Sequence, residues 1–245
     1  MREGSLNFTQ LQHGVLLTLV LMASPSLVAA ASVGGSVGIS SDYLVRGISR
    51  SNHQASLQAD AHVALGNGFD VGVFAASVQI GPNHRRDTEL SAFVGLAADM
   101  SEAWHTRLAV NHYSYPWNAA GSKYAYDELS LDLAYQEWLT FSAVYSPNAP
   151  RYLAAWGVFG VTAQSAELSV QAPLSRQFFL TAGLGYAQLA GRYPDEYTYW
   201  SAGGIYSLGP ASISLQYVGT TRAARQLYYD AAARNRVAGS VIWRF

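Results

Sequence analysis

The feature that most constrains this chain is a period of two in its apolar residues, which recurs along the sequence without becoming a long apolar run. Leu57, Ala59, Ala61, Val63 and Leu65 alternate with Ser56, Gln58, Asp60 and His62, after which Gly66-Asn67-Gly68 turns the chain. Leu90, Ala92, Val94 and Leu96 alternate with Glu89, Ser91, Phe93 and Gly95. The same pattern sets Leu129, Leu131 and Leu133 against Glu128, Ser130 and Asp132, and Ile213, Leu215 and Tyr217 against Ser212, Ser214 and Gln216. Successive side chains of an extended strand point to opposite faces, whereas an amphipathic helix needs apolar residues at 3.6 spacing. These segments are therefore strands, each apolar on one face.

Twelve such segments are predicted, at 34–48, 55–66, 69–80, 87–99, 103–115, 124–137, 139–147, 163–173, 178–189, 197–208, 211–221 and 234–245. Their connections alternate between tight turns, such as Gly66-Asn67-Gly68 and Gly209-Pro210, and longer polar loops, such as those from Asn148 to Thr162 and from Arg222 to Ala233. Short turns at one end and long loops at the other are the plan of an outer-membrane barrel. Twelve tilted strands of ~9–11 residues leave enough chain for every connection. No convincing helix is visible.

A soluble β-sandwich also alternates, so composition has to decide. Charged residues are only 13% of the chain while 50% are hydrophobic, and Lys123 is the only lysine. A sandwich that exposes its polar face to water would carry many more charges. The non-apolar positions are mostly Ser, Gly, Gln and Thr, as suits a packed lumen. Aromatics gather near segment ends (Tyr43, Trp104, Tyr113, Tyr115, Trp117, Trp138, Tyr145, Trp200, Tyr206, Tyr217 and Trp243), where interfacial girdles are expected. The chain ends on alternating Val241, Trp243 and Phe245, the pattern that outer-membrane assembly machinery reads. Hydrocarbon offers no partner to a backbone N–H or C=O, so a sheet that spans it must close. The reading is an all-β, single up-and-down antiparallel transmembrane barrel over residues 32–245.

Residues 1–31 read as a secretory signal peptide: Arg2, a short apolar core from Val15 to Ala23, and a small-x-small site at Ala29-Ala30-Ala31, with cleavage near Ala31. Absence of cysteine excludes disulfides, a lipoprotein anchor and zinc–thiolate sites. A formal charge of −1 carries no nucleic-acid footprint. Scattered histidines lack metal-ligand spacing, and no cofactor motif is present.

The run Ser41-Asp-Tyr-Leu-Val-Arg-Gly-Ile-Ser-Arg-Ser51 resembles the opening signature of the proteobacterial TorF-like porin family, also catalogued as a domain of unknown function. Tyr113-Ser-Tyr-Pro116, Tyr126 to Tyr135 and the closing Asn235 to Phe245 look similar as well. The resemblance implies an outer-membrane barrel with a transport role. It carries over no binding residues.

Placing the polar alternation inward puts Asp42, Arg46, Asp60, His62, Glu89, Arg107, Asn111, Glu128, Asp132, Glu167, Arg236 and Arg244 in the lumen. Such a set is either a charged eyelet that filters small polar solutes or a salt-bridged lumen packing. Neither sign dominates, so weak selectivity is expected. Asp42 and Arg46, four apart, are expected on one face of the first strand. A different chemistry is carried by His112, Ser114 and Asp127, which fall on the lipid face with the serine–histidine spacing of lipid A deacylases. His84-Arg85-Arg86 forms a basic loop that either meets lipopolysaccharide phosphates or is simply solvated. The expected function is narrow, passive passage of small polar solutes or ions, with outer-membrane lipids, lipopolysaccharide and the barrel-assembly machinery as partners. A lipid hydrolase and a non-conducting structural barrel are the alternatives.

Overall fold

The structure is a computed structural model and describes residues 31–80, 85–117, 121–136, 138–153, 157–191, 195–228 and 231–245. The expected signal peptide, residues 1–31, lies outside these apart from Ala31. Fourteen strands are numbered in chain order: β1 (Ser32–Ser40), β2 (Leu44–Val45), β3 (Ile48–Ser49), β4 (Ser56–Ala64), β5 (Phe69–Ile80), β6 (Arg85–Asp99), β7 (Trp104–Ser114), β8 (Tyr126–Tyr135), β9 (Leu139–Leu153), β10 (Gly157–Pro173), β11 (Phe178–Leu189), β12 (Glu196–Leu208), β13 (Ala211–Thr220) and β14 (Arg236–Arg244). Twelve of them, β1 and β4 to β14, form one closed antiparallel barrel in which each strand pairs with its neighbours in sequence and β14 returns to β1. The remaining two, β2 and β3, pair only with each other.

The outer wall is apolar, as lipid requires. Leu57, Val73, Val94, Val110, Leu129, Leu168, Leu184, Leu215 and Val237 all project outward and are exposed. Trp104, Trp138, Phe178, Tyr206 and Trp243 ring the short-turn end, and Trp104 stacks obliquely on Tyr135 at 4.9 Å between ring centres. The start of β1 and the end of the chain lie at that rim, where Gly35 and Phe245 exchange two backbone hydrogen bonds of 3.0 Å. Three aromatics expected in the girdles are not there. Tyr43, Tyr113 and Tyr115 turn inward, because their positions share the parity of the lumen residues or lie in a loop folded into the bore.

Three further expectations are corrected. The first barrel strand stops at Ser40 rather than reaching Ile48, and the segment after it enters the bore. The long connection expected from Asn148 to Thr162 is mostly strand, because β9 and β10 pair as far as Leu153 and Gly157, above the level of their neighbours. Two short helices exist where none was expected: α1 (Gly121–Tyr124) and α2 (Arg222–Leu227). α2 packs Ala224 onto the inner wall beside Tyr197 and Leu189. No helix among the described residues is long and apolar enough to cross a membrane.

Candidate functional site: the lumen and the hairpin across it

The segment between β1 and β4 determines the character of the lumen. At Val45-Arg46-Gly47-Ile48 the chain reverses with φ of +50° at Arg46 and +78° at Gly47, the doubly left-handed geometry of a type I′ hairpin turn. Glycine suits the second position, and the crowding there admits nothing larger. A Cβ on Gly47 would lie 2.6 Å from Thr220 Cγ2 on β13 and 2.9 Å from Tyr199 Cβ on β12. The hairpin tip is therefore seated on β13 and β12, two and three strands from β1, while Arg46 reaches across the bore to Glu128 on β8.

Each flank of the hairpin packs on a different apolar cluster. Ile48 joins Leu189, Tyr197, Tyr199, Ala224 and Ala233, whereas Tyr43 packs against Phe74, Tyr113, Tyr115 and Tyr126. Polar ties fix it further. Ser49 N donates to Ala232 O at 2.9 Å, and Gln79 N donates to Arg50 O at 2.8 Å. Arg46 Nη2 lies 2.9 Å from Glu128 Oε1. Arg50 donates to Glu89 Oε2 (3.3 Å) and to the hydroxyls of Tyr115 and Tyr126 (3.0 Å each), while Tyr43 and Tyr115 both donate to Glu89. Burial first, and then the Glu89 carboxylate, pushes the Tyr43 and Tyr115 hydroxyls well above the ordinary phenol range, so both stay protonated as donors.

Asp42 anchors the base of the hairpin. Its Oδ1 accepts from Ser49 (2.5 Å) and Ser51 (2.9 Å), and its Oδ2 accepts from Arg236 Nη1 at 2.7 Å. Asp42 and Arg46 thus both lie in the bore, but they do not share a strand face as expected. They sit at base and tip of the inserted hairpin and pair with different walls.

Toward the short-turn end the lumen is lined by further ion pairs and hydrogen bonds. Arg107 meets Asp70 through two hydrogen bonds (2.6 and 3.2 Å) and lies 5.3 Å over the Phe93 ring. Asp60 receives Ser36 and lies 3.2 Å from His62 Nδ1, Ser142 donates to Asp132 at 2.6 Å, and Arg244 donates to Ser212 at 3.1 Å. Asn111 is 3.5 Å from Ser130 Oγ, and Glu167 faces the same interior. Sequence reasoning missed Asp70, Arg50 and the tyrosine cluster. Asp70 follows directly on a turn and alternates poorly, whereas Arg50 belongs to a loop with no strand parity.

On the loop side of the hairpin remains a cavity of about 230 Å³, bounded by Arg46, Arg50, Glu128, Ser146, Tyr126, Tyr197 and Tyr228 among others. Beneath it, between the hairpin and the β5–β8 wall, lies a smaller cavity of about 20 Å³.

The outward-facing residues form a separate group. His112 Nδ1 lies 2.7 Å from Asp127 Oδ1, and Asn148 Nδ2 donates to Asp127 Oδ2 at 2.9 Å, near the loop end of β7 and β8. Ser114 shares that face, but its hydroxyl donates to Leu90 O at 3.4 Å. His84 lies outside the described residues, and Arg86 is exposed at the loop end of β6. Val241 and Trp243 face outward on β14, and Phe245, just beyond the strand, is bonded to Gly35. Among the described residues no group of His, Asp and Glu is placed to hold a metal ion.

Solved structures share this architecture. The chain superposes on the NanC porin with a TM-score of 0.54 at 10% identity, covering 86% of this chain and 98% of that one. It is similar to the KdgM porin, in a complex with disordered oligogalacturonate, with a TM-score of 0.51 at 10% identity, covering 89% and 99%. At such identity the likeness is one of fold. No curated protein matches the sequence. A family model described as a bacterial protein of unknown function (Gcw_chp) matches residues 24–244, and the chain belongs to that family.

Proposed function

We propose that the protein is a narrow, passive outer-membrane channel for small polar solutes or ions, with the Ser41–Ala55 segment as its constriction. One observation carries the reading: a closed twelve-stranded barrel with a charged interior has a short hairpin folded into it, held by ion pairs and by two apolar clusters rather than by a core that fills the bore. Eight-stranded barrels fill with side chains and sixteen-stranded ones leave a water channel, so twelve strands with an inserted loop suit a small conductance. The porin fold of the two similar structures and the TorF-like opening signature support the same reading. On it, the leader is removed near Ala31, the assembly machinery reads Val241, Trp243 and Phe245, and membrane lipids with lipopolysaccharide surround the wall. The lumen residues named above would line the path. Purified protein in planar bilayers is expected to give discrete small conductance steps whose ion preference changes in Arg46→Gln. Electrical silence across voltages and salt concentrations overturns the reading.

The His112–Asp127 pair favours a second activity on the outer face, lipid ester hydrolysis, with Ser114 as nucleophile. Ser114 is not hydrogen-bonded to His112, which weighs against it. Release of fatty acid from outer-membrane lipid, abolished in Ser114→Ala, would support this second reading, and its absence in the wild type removes it. A non-conducting barrel fails both assays.

A further inference from the structure

Three uncommitted polar atoms belong to residues around the cavity above the hairpin. Arg46 Nε, Glu128 Oε2 and Ser146 Oγ all belong to residues that bound it, and each is buried without a hydrogen-bond partner. Buried polar atoms are nearly always satisfied, and each orphan is costly, so three around one cavity call for an explanation. They are a donor, an acceptor and a hydroxyl that can act as either. The charges nearest to them are already compensated: Arg46 by Glu128 at 2.9 Å, and Arg50 by Glu89 at 3.3 Å. A carboxylate or phosphate brought here would meet the free oxygen of Glu128, and an ammonium would meet the Arg46 guanidinium. A hydroxyl group meets neither objection, since it donates to one and accepts from the other.

The remaining surface agrees. Tyr126, Tyr197 and Tyr228 bound the cavity, and Tyr197 and Tyr228 meet edge to face at 5.6 Å, giving broad carbon surfaces beside polar tips. Few precisely placed polar groups on an aromatic wall make a small-molecule site. About 230 Å³ is roughly eight waters' worth of space at ~30 Å³ each, which suits one sugar ring rather than a chain of them. The geometry points to a binding site for an uncharged polyhydroxylated solute of monosaccharide size, with adjacent hydroxyls spanning Arg46, Glu128 and Ser146. This rests on the channel reading in treating the bore as the solute-facing side, and it names the solute class that reading leaves open.

Calorimetry on the full-length protein in detergent micelles reads binding without requiring passage. The probes are D-glucose, gluconate and protonated glucosamine, alike in size and different in charge. Glucose is expected to bind at least about tenfold more tightly than either ion, the equivalent of one good hydrogen bond set against one uncompensated charge. Ser146→Ala is expected to weaken glucose about two- to tenfold while leaving thermal stability equal or higher, because it removes a buried hydroxyl without a partner. Ala163→Leu, which fills the wall opposite Ser146 in the β9–β10 pairing, is expected to abolish binding. Glucose binding no tighter than either ion, or indifferent to both substitutions, overturns the proposal. Conductance without glucose binding refutes this site and spares the channel, whereas glucose binding without conductance does the reverse.

Discussion

Substitution of Gly47 by alanine tests whether the hairpin tip is held against the β12–β13 wall. Two costs add. Alanine in the left-handed region at φ +78° loses about 1–2 kcal/mol. Its Cβ would also lie 2.6 Å from Thr220 Cγ2 and 2.9 Å from Tyr199 Cβ, and Thr220 is buried on a strand that cannot retreat from its ladder. Overpacking of this kind costs about 1–3 kcal/mol. Seating of the hairpin is therefore expected to weaken by about 2–5 kcal/mol, which multiplies the unseated population some thirty-fold at least. Limited trypsin digestion of the folded protein in detergent reads this directly, because Arg46 and Arg50 are enclosed when the hairpin is seated and open to cleavage when it is not. Gly209→Ala is the control: it carries the same left-handed strain at φ +59° with nothing within 4 Å of the added carbon. Cleavage after Arg46 and Arg50 is expected to accelerate in Gly47→Ala and to stay at the wild-type rate in Gly209→Ala. Equal resistance of all three proteins, with the barrel intact by circular dichroism, would refute the placement of the hairpin tip.

Other outcomes follow from the same geometry. Arg107→Ala leaves Asp70 buried and unpaired, and is expected to destabilise the barrel by about 3–5 kcal/mol in denaturant unfolding, more than the double replacement Asp70→Leu with Arg107→Leu. Because the Tyr43 and Tyr115 hydroxyls titrate above ordinary phenols, hairpin seating is expected to be constant up to about pH 10 and to fall above it as those groups ionise. Tyrosinate absorbance compared between wild type and Tyr43→Phe/Tyr115→Phe checks this, and two tyrosines ionising normally near pH 10 would contradict it. Leu57→Arg, on the lipid face, is expected to cost up to about 2–4 kcal/mol, set by its depth, whereas Gln58→Arg on the lumen face costs less. Deletion of Phe245 removes its two hydrogen bonds with Gly35, and is expected to lower the yield of membrane-inserted protein measured by fractionation.

The barrel was legible because lipid imposes its own grammar. A residue such as Leu129 or Leu215 has to face outward, and its neighbours Glu128 and Ser214 then have no choice but the lumen. The same rule misled at Tyr43 to Arg50, where a polar–apolar alternation continues past Ser40 although the chain has left the wall. Arg46-Gly47, a pair able to take two left-handed conformations, was the available sign of a hairpin inside that run. Nothing local marks which way a hairpin folds, since Asp42 and Glu128 are far apart in sequence from their partners Arg236 and Arg46. Alternation put His112 and Asp127 on the lipid face, but their standing opposite each other is set by the register of β7 and β8, which alternation leaves open. Whether Ser114 turns toward that histidine depends on a single rotamer, which alternation does not determine.

The barrel also has a seam. β1 pairs with β4 along its whole length, from Ser32↔Ala64 to Ser40↔Ser56, but with β14 only from Ser36↔Arg244 to Ser40↔Ser240. The join between first and last strand is thus the briefest ladder in the wall, fastened at the rim by the terminal phenylalanine and crossed deeper in by Arg236 reaching to Asp42. Unzipping under heat or force should begin there, and an ion pair nearly the full chain apart in sequence is what must break for the cylinder to unroll.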